Sequence, residues 1–76
     1  MKLSFDPKYN VAYIRFHEKQ GQVTTIKISD DMNVDIAPDG TVYGIELLNA
    51  NAQLTGDQGA LIVESGGLRR KIRLVA

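Results

Sequence analysis

The sequence predicts a mainly β, α+β fold: a single twisted antiparallel sheet or partial barrel of five to seven short strands with one short helix. Three observations predict it. Turn-forming clusters of Asp, Asn, Gly and Pro recur throughout the 76-residue chain, and the pieces between them are short. Those pieces are rich in β-branched and aromatic residues, which suit a pleated surface. One of them, Met32-Asn33-Val34-Asp35-Ile36, alternates strictly. Its period of two sends Met32, Val34 and Ile36 inward and Asn33 and Asp35 toward solvent.

The elements follow in order. Asp6-Pro7-Lys8-Tyr9-Asn10 is a turn: Pro fixes φ at the second position and Asp6 can accept bonds from amides ahead of it. It joins Lys2–Phe5 to Val11–His17 as a hairpin. Val11-Ala12-Tyr13-Ile14 is apolar at successive positions, the mark of a central strand covered on both sides at one end. Glu18-Lys19-Gln20-Gly21 is the next turn, and the β-branched stretch Gln22–Ile28 is the next strand. Ser29-Asp30-Asp31 turns the chain into Met32–Ile36, and Ala37-Pro38-Asp39-Gly40 turns it back into Thr41–Leu48. Gly44 inside that strand signals a bulge or a close backbone approach. Asn49–Leu54 is the one helical piece, with Asn49 as its cap and Thr55-Gly56 as its end. It is too short to stand alone, so it must dock through Leu54. The last hairpin runs Ala60–Ser65, Gly66-Gly67, Leu68–Val75. Its second strand places Leu68, Arg70, Ile72 and Leu74 on one face and Arg69, Lys71, Arg73 and Val75 on the other.

These elements make one domain over residues 1–76. The expected core is Leu3, Phe5, Ala12, Ile14, Phe16, Ile26, Ile28, Val34, Ile36, Ile45, Leu47, Leu54, Ile62, Ile72 and Leu74. A domain this small buries only about 60% of the surface its unfolded chain exposes. The chain has no Cys and one His, so neither a disulfide nor a Cys-ligated zinc can staple it. Tight strand pairing and self-association are the remaining ways to stabilise it, and self-association is the one expected here. Met1–Asp6 holds no apolar core of signal-peptide length, and no apolar run approaches the ~20 residues of a membrane helix. A cytoplasmic location, with no membrane partner, is the default expectation.

Net charge is zero but unevenly spread. Residues 1–64 carry five basic groups against nine acidic ones, a net −4, while residues 65–76 carry Arg69, Arg70, Lys71 and Arg73 and no acid, a net +4. Such asymmetry fits an interaction tail, or a tail folded back onto an acidic body.

Several segments resemble a known family. Ser4-Phe5-Asp6-Pro7 and Val11-Ala12-Tyr13-Ile14-Arg15-Phe16 are similar to the opening of the small bacterial YuzE-like proteins, a domain family of unknown function. Ser29-Asp30-Asp31-Met32-Asn33-Val34-Asp35, Asp39-Gly40 and Gly44-Ile45-Glu46-Leu47-Leu48-Asn49-Ala50 continue that pattern in the same order, so the resemblance spans about residues 2–54. It implies a compact β-rich fold with a short helix. It implies no activity and supplies no catalytic or binding residues.

Candidate sites are few. Asp30, Asp31, Asp35 and Asp39 are the carboxylates a hard cation would need, but EF-hand spacing and a closing bidentate Glu are missing. Turn and strand-surface roles explain the four better. His17-Glu18 is the one His–carboxylate neighbour pair, and strand alternation separates the two side chains. No Cys nucleophile and no Gly-Xaa-Ser-Xaa-Gly elbow exists, and the Gly pairs lack a P-loop Lys-Ser/Thr and a following helix. No enzyme activity and no cofactor are therefore expected. Arg69, Lys71 and Arg73 form a basic row with Arg70 beside it, which can lie along phosphates, protect a sheet edge, pair across the sheet with the acidic body (Glu64 being the cross-hairpin candidate), or meet a protein partner. Tyr9, Tyr13 and Tyr43 are interface-type aromatics: if the sheet has an uncovered apolar face, Tyr13, Tyr43 and Val11 are the residues to form it, and the alternative is that they are half-buried sheet residues with their hydroxyls in water. The expected role is a non-enzymatic protein-interaction or regulatory module, an adaptor or a neutraliser of a partner, that forms a homodimer. The alternatives are a nucleic-acid-binding module using Arg69–Arg73 and a metal or small-ligand site on the acidic turns.

Overall fold

The computed structural model describes residues 1–74. Seven strands and the expected helix follow the predicted order, and a second helical turn, α2, stands where a loop was expected: β1 (Lys2–Asp6), β2 (Val11–Arg15), β3 (Thr24–Ser29), β4 (Met32–Ile36), β5 (Val42–Leu48), α1 (Ala50–Gln53), α2 (Gly56–Gly59), β6 (Ala60–Ser65) and β7 (Leu68–Arg73). Every strand pairing is antiparallel. β1 to β5 form an open sheet in the order β1-β2-β5-β4-β3, while β6 and β7 form a separate two-stranded sheet. The single sheet expected from the sequence is thus two, and neither closes into a barrel. Val75, expected at the end of the last strand, lies outside the described residues.

The register divides the large sheet into two unlike faces. Leu3, Ile14, Ile45, Val34 and Ile26 sit opposite one another across all five strands. Phe5, Ala12, Leu47 and Met32 form the neighbouring row, and Val42 and Ile36 pair beyond. Directly opposed residues share a face, so these rows make one continuous apolar surface. The other face carries Ser4, Tyr13, Glu46, Asn33 and Lys27 in one row, with Lys2, Arg15, Gly44, Asp35 and Thr25 in the next.

Two irregularities shape it. The register of β4 against β5 shifts between Asp35 and Ile36, which leaves Tyr43 as an extra residue beside Gly44. This is the bulge that Gly44 signalled. A Cβ on Gly44 would lie 2.5 Å from the Ile14 carbonyl oxygen and 2.6 Å from Tyr13 Oη, so only glycine fits. The second shift, between Lys27 and Ser29, falls on edge strand β3, where a bulge and a lysine discourage strand addition.

The core sits at one end of the apolar face. Ala12 and Ala50 are 0% exposed and form a cluster with Leu47, and Leu3, Phe5, Met32, Ile45 and Leu54 pack around it. Two alanines at the contact let α1 approach the sheet closely, and Leu54 docks as expected. The far half of the face has no such cover. Ile26 is 41% and Ile28 59% exposed, and Phe16 and Ile72 are exposed as well, so these four leave the predicted core. Ile26 keeps the face that alternation assigned it, opposite Val34, whereas Ile28 falls at the bulge where alternation breaks; what covers a face is a tertiary matter that period two does not encode.

The cap of α1 is also corrected. Asn49 adopts left-handed backbone (φ 51°) and makes no side-chain cap bond. The work is done by Asn10, itself left-handed at φ 58°, from the β1–β2 turn. Its Oδ1 accepts from the Asn51 amide at 2.7 Å, its Nδ2 donates to Asn51 Oδ1 at 2.8 Å, and its carbonyl accepts from the Ala50 amide at 2.9 Å. Asn is the residue best able to take positive φ without being glycine.

Candidate functional site

The polar face is organised around Asp35. Strand β4 turns this side chain away from the core, as alternation predicts, yet it is only 8% exposed. Tyr13 Oη donates to Asp35 Oδ2 at 2.8 Å and Thr25 Oγ1 to Oδ1 at 2.7 Å. Lys19 Nζ, from the loop after β2, lies 3.0 Å from Oδ2 and 5.1 Å from the centre of the Tyr13 ring. Burial works to raise the Asp35 pKa, but the bonds from Thr25, Lys19 and Tyr13 outweigh it and hold the carboxyl below its ordinary value. The bond to Asp35 raises Lys19, and burial followed by the Asp35 bond raises Tyr13. Each group therefore keeps its usual charge at neutral pH more firmly than in water. That is the behaviour of a structural brace, since both carboxylate oxygens are already engaged.

The other acidic candidates do not join it. Asp30, in the β3–β4 turn, pairs with Lys27 at 3.3 Å. Asp31 is exposed in the same turn. Asp39 accepts from the Thr41 amide at 2.9 Å, which lowers its pKa and stabilises the β4–β5 turn. Among the described residues no three His, Cys, Asp or Glu side chains converge on a point that could hold a metal. The acidic-turn site is thus not assembled: the four carboxylates sit in two turns and one brace. His17 is exposed, and Glu18 pairs with Arg15 at 3.1 Å instead.

The aromatic candidates are placed differently from the expectation. Tyr13 lies on the polar face against Asp35, and Tyr43 is buried, its hydroxyl donating to the Gln20 carbonyl at 3.1 Å. Val11 falls on the Tyr13 side as well. The uncovered apolar surface exists, but residues of the opposite parity make it. Its signal was present in the sequence as the aligned alternation of Leu3, Ile14, Ile26, Val34 and Ile45, readable once the strand order is known.

The basic candidates lie on an arm. β6 and β7 run out from the sheet as a hairpin whose register pairs Leu61 with Ile72, Val63 with Arg70 and Ser65 with Leu68 on one side. Ala60 with Arg73, Ile62 with Lys71 and Glu64 with Arg69 occupy the other side. The arm is therefore amphipathic: one side is apolar apart from Arg70 and Ser65, and the other holds the basic row. Leu68 is 77% exposed, and Val63 and Ile72 are exposed beside it. Arg69 pairs with Glu64 at 3.7 Å within the arm itself. Arg73 donates to the Gln58 carbonyl at 3.3 Å, and among the described residues no carboxylate lies within ion-pair distance of Arg70, Lys71 or Arg73. Apart from Arg69 with Glu64, the described residues of the tail make no ion pair with the acidic body.

α2 carries the arm. Asp57, Gln58 and Gly59 are successively left-handed, with φ of 52°, 61° and 76°. For Asp57 and Gln58 that conformation costs about 1–2 kcal/mol each. The root of the arm comes near the sheet, where Leu3, Ile14, Leu54, Ala60, Leu61 and Leu74 line a groove of ≈ 210 Å³.

Fold and surface together define a small antiparallel β domain with one face half covered and an amphipathic hairpin standing off it. The chain belongs to the family described as Protein of unknown function (DUF2283), whose sequence model matches residues 2–51. The match takes in the whole five-stranded sheet and the start of α1; the arm lies beyond it. No curated protein and no solved structure matches the chain. Among the described residues no helix is long and apolar enough to cross a membrane.

Proposed function

We propose that this chain is a non-enzymatic protein-interaction module that associates with itself. The observation that carries this reading is the open half of the apolar sheet face, where Ile26 and Val42 are exposed within the cross-strand rows and Ile28 stands at the edge bulge. Small monomers rarely expose contiguous apolar area, and a face of this kind is the usual mark of an interface. The Asp35 cluster on the opposite face is satisfied internally, which supports a structural rather than a chemical role for it. Size-exclusion chromatography with light scattering, at low and high salt, tests the proposal. A dimer at both salts is the expected outcome, because apolar burial does not weaken with ionic strength. A monomer at every concentration and salt would overturn it.

The basic row supports a second reading, nucleic-acid binding along Arg69, Lys71 and Arg73, which share one side of the arm. It requires an affinity that falls steeply with salt and is lost on changing Arg69 and Arg73 to Glu.

A further inference from the structure

We infer that the occupant of the open sheet face is the β6–β7 arm of a second copy, so that two chains exchange arms reciprocally. The inference rests on the self-association proposed above and specifies how it is achieved.

Four observations converge on it. The first is area. The chain exposes 5580 Å², whereas a compact monomer of its 8.4 kDa exposes about 4600 Å², an excess of about 1000 Å². A standard interface takes about 800 Å² from each partner, so the excess is what one such contact removes. The radius of gyration agrees: 13.7 Å, against about 11 Å for a compact 76-residue domain.

The second is complementarity of shape and polarity. The arm has one apolar side, with Val63, Leu68 and Ile72 exposed, and the sheet has one open apolar face. An isolated two-stranded hairpin is marginal in water and needs a surface to lie on. The groove at the arm's root joins the two surfaces, since Leu61 and Leu74 of the arm line it together with Leu3 and Ile14 of the sheet. The arm therefore departs on the apolar side of its own sheet but does not lie along it.

The third is charge. Among the described residues, one ion pair, Arg69 with Glu64, joins the tail's +4 to the body's −4. The turns joining β3 to β4 and β4 to β5 carry Asp30, Asp31 and Asp39, at opposite ends of these strands. Arg70, the one charge on the arm's apolar side, then has carboxylates to meet at the rim. Exchange gives each basic arm an acidic body.

The fourth is the hinge. Short connections held under backbone strain invite exchange between protomers, and Asp57 and Gln58 are so held. A two-fold arrangement in which each arm covers the other sheet is closed and self-limiting.

The absence of cysteine makes the test direct. One set of full-length chains carries a single Cys on the arm (Val63→Cys, Leu68→Cys or Ile72→Cys). A second set carries one on the face (Ile26→Cys or Val42→Cys). Mixed and oxidised, arm and face chains should give covalent heterodimers, because two Cys bridge only when their Cα atoms come within about 7 Å. A dimer that cross-links arm to arm or face to face instead would overturn exchange while leaving self-association standing. A chain carrying both Ile26→Cys and Leu68→Cys that closes on itself as a covalent monomer would mean the arm covers its own sheet, and would also overturn it. Loss of the dimer from unmodified protein would remove the underlying reading too. As a second measurement, Leu68→Asp should raise the dimer dissociation constant about 100- to 10,000-fold, because reciprocal exchange withdraws two leucines per dimer and each is worth about 10- to 100-fold. Its side chain is exposed in the single chain, so an unchanged constant with unchanged circular dichroism counts against the exchange.

Discussion

Asp35 and Gly44 face each other across β4 and β5, and each is fixed by what surrounds it. Replacing Asp35 with Ala leaves the Tyr13 and Thr25 hydroxyls and the Lys19 ammonium without their acceptor, and should cost about 1–3 kcal/mol in urea unfolding at pH 7. The brace also sets a pH window. Asp35 is lowered from 3.8, so its contribution is complete above that value and is lost as pH falls through the folded value beneath it. Lys19 and Tyr13 are raised from 10.5 and 10.0, so theirs are complete below those values and are lost as pH rises past them. A urea midpoint measured against pH should be flat between these limits, and Asp35→Ala should flatten the acid limb of that curve. Gly44→Ala is a harsher change, because the new methyl group meets the Ile14 backbone carbonyl, which cannot swing aside, as well as the Tyr13 hydroxyl held by Asp35. A loss of about 2–3 kcal/mol is expected, near the upper end for overpacking. The need for glycine at position 44 was legible in the sequence. The burial of Asp35 was not: its shielding comes from Lys19, which sits in a loop whose path no local pattern specifies.

At the scale of elements, α1 is a single turn that propensity cannot sustain, and its stability is borrowed from Asn10 and from the Ala12–Ala50 contact. Asn10→Ala removes the side-chain bonds to Asn51 and puts a Cβ-bearing residue without a carboxamide at φ 58°. It should cost about 1–2 kcal/mol, the range for a lost helix cap. Faster hydrogen exchange at the Asn51 and Leu54 amides, with the β3–β4–β5 amides unaffected, would locate the loss in α1. The strands themselves were readable almost to their ends, because turn chemistry at Asp6-Pro7, Asp30-Asp31, Pro38-Asp39-Gly40 and Gly66-Gly67 is local. The capping role of Asn10 was not readable, since the bond it makes to Asn51 joins residues 41 apart. The amphipathic character of the arm was legible from β7 alone; its separation from the main sheet was not, because strand alternation says nothing about which sheet a hairpin joins.

For the whole molecule, the strand order carries a consequence for how the chain folds. β3, β4 and β5 are consecutive neighbours, as are β1 and β2, so both units form from contacts close in sequence. Only the β2–β5 seam, whose register runs from Val11 opposite Leu48 to Arg15 opposite Gly44, must close a long loop before it gains anything. That seam is where the rate is set, since non-local pairing pays its entropy first. Substitutions along it, Gly44→Ala among them, should slow folding, whereas losses at the Asn10 clamp, made after the seam has zipped, should show mainly as faster unfolding in the two arms of a chevron plot. The same glycine that lets β2 and β5 approach is thus a kinetic gate: the chain becomes one sheet at the moment that seam closes.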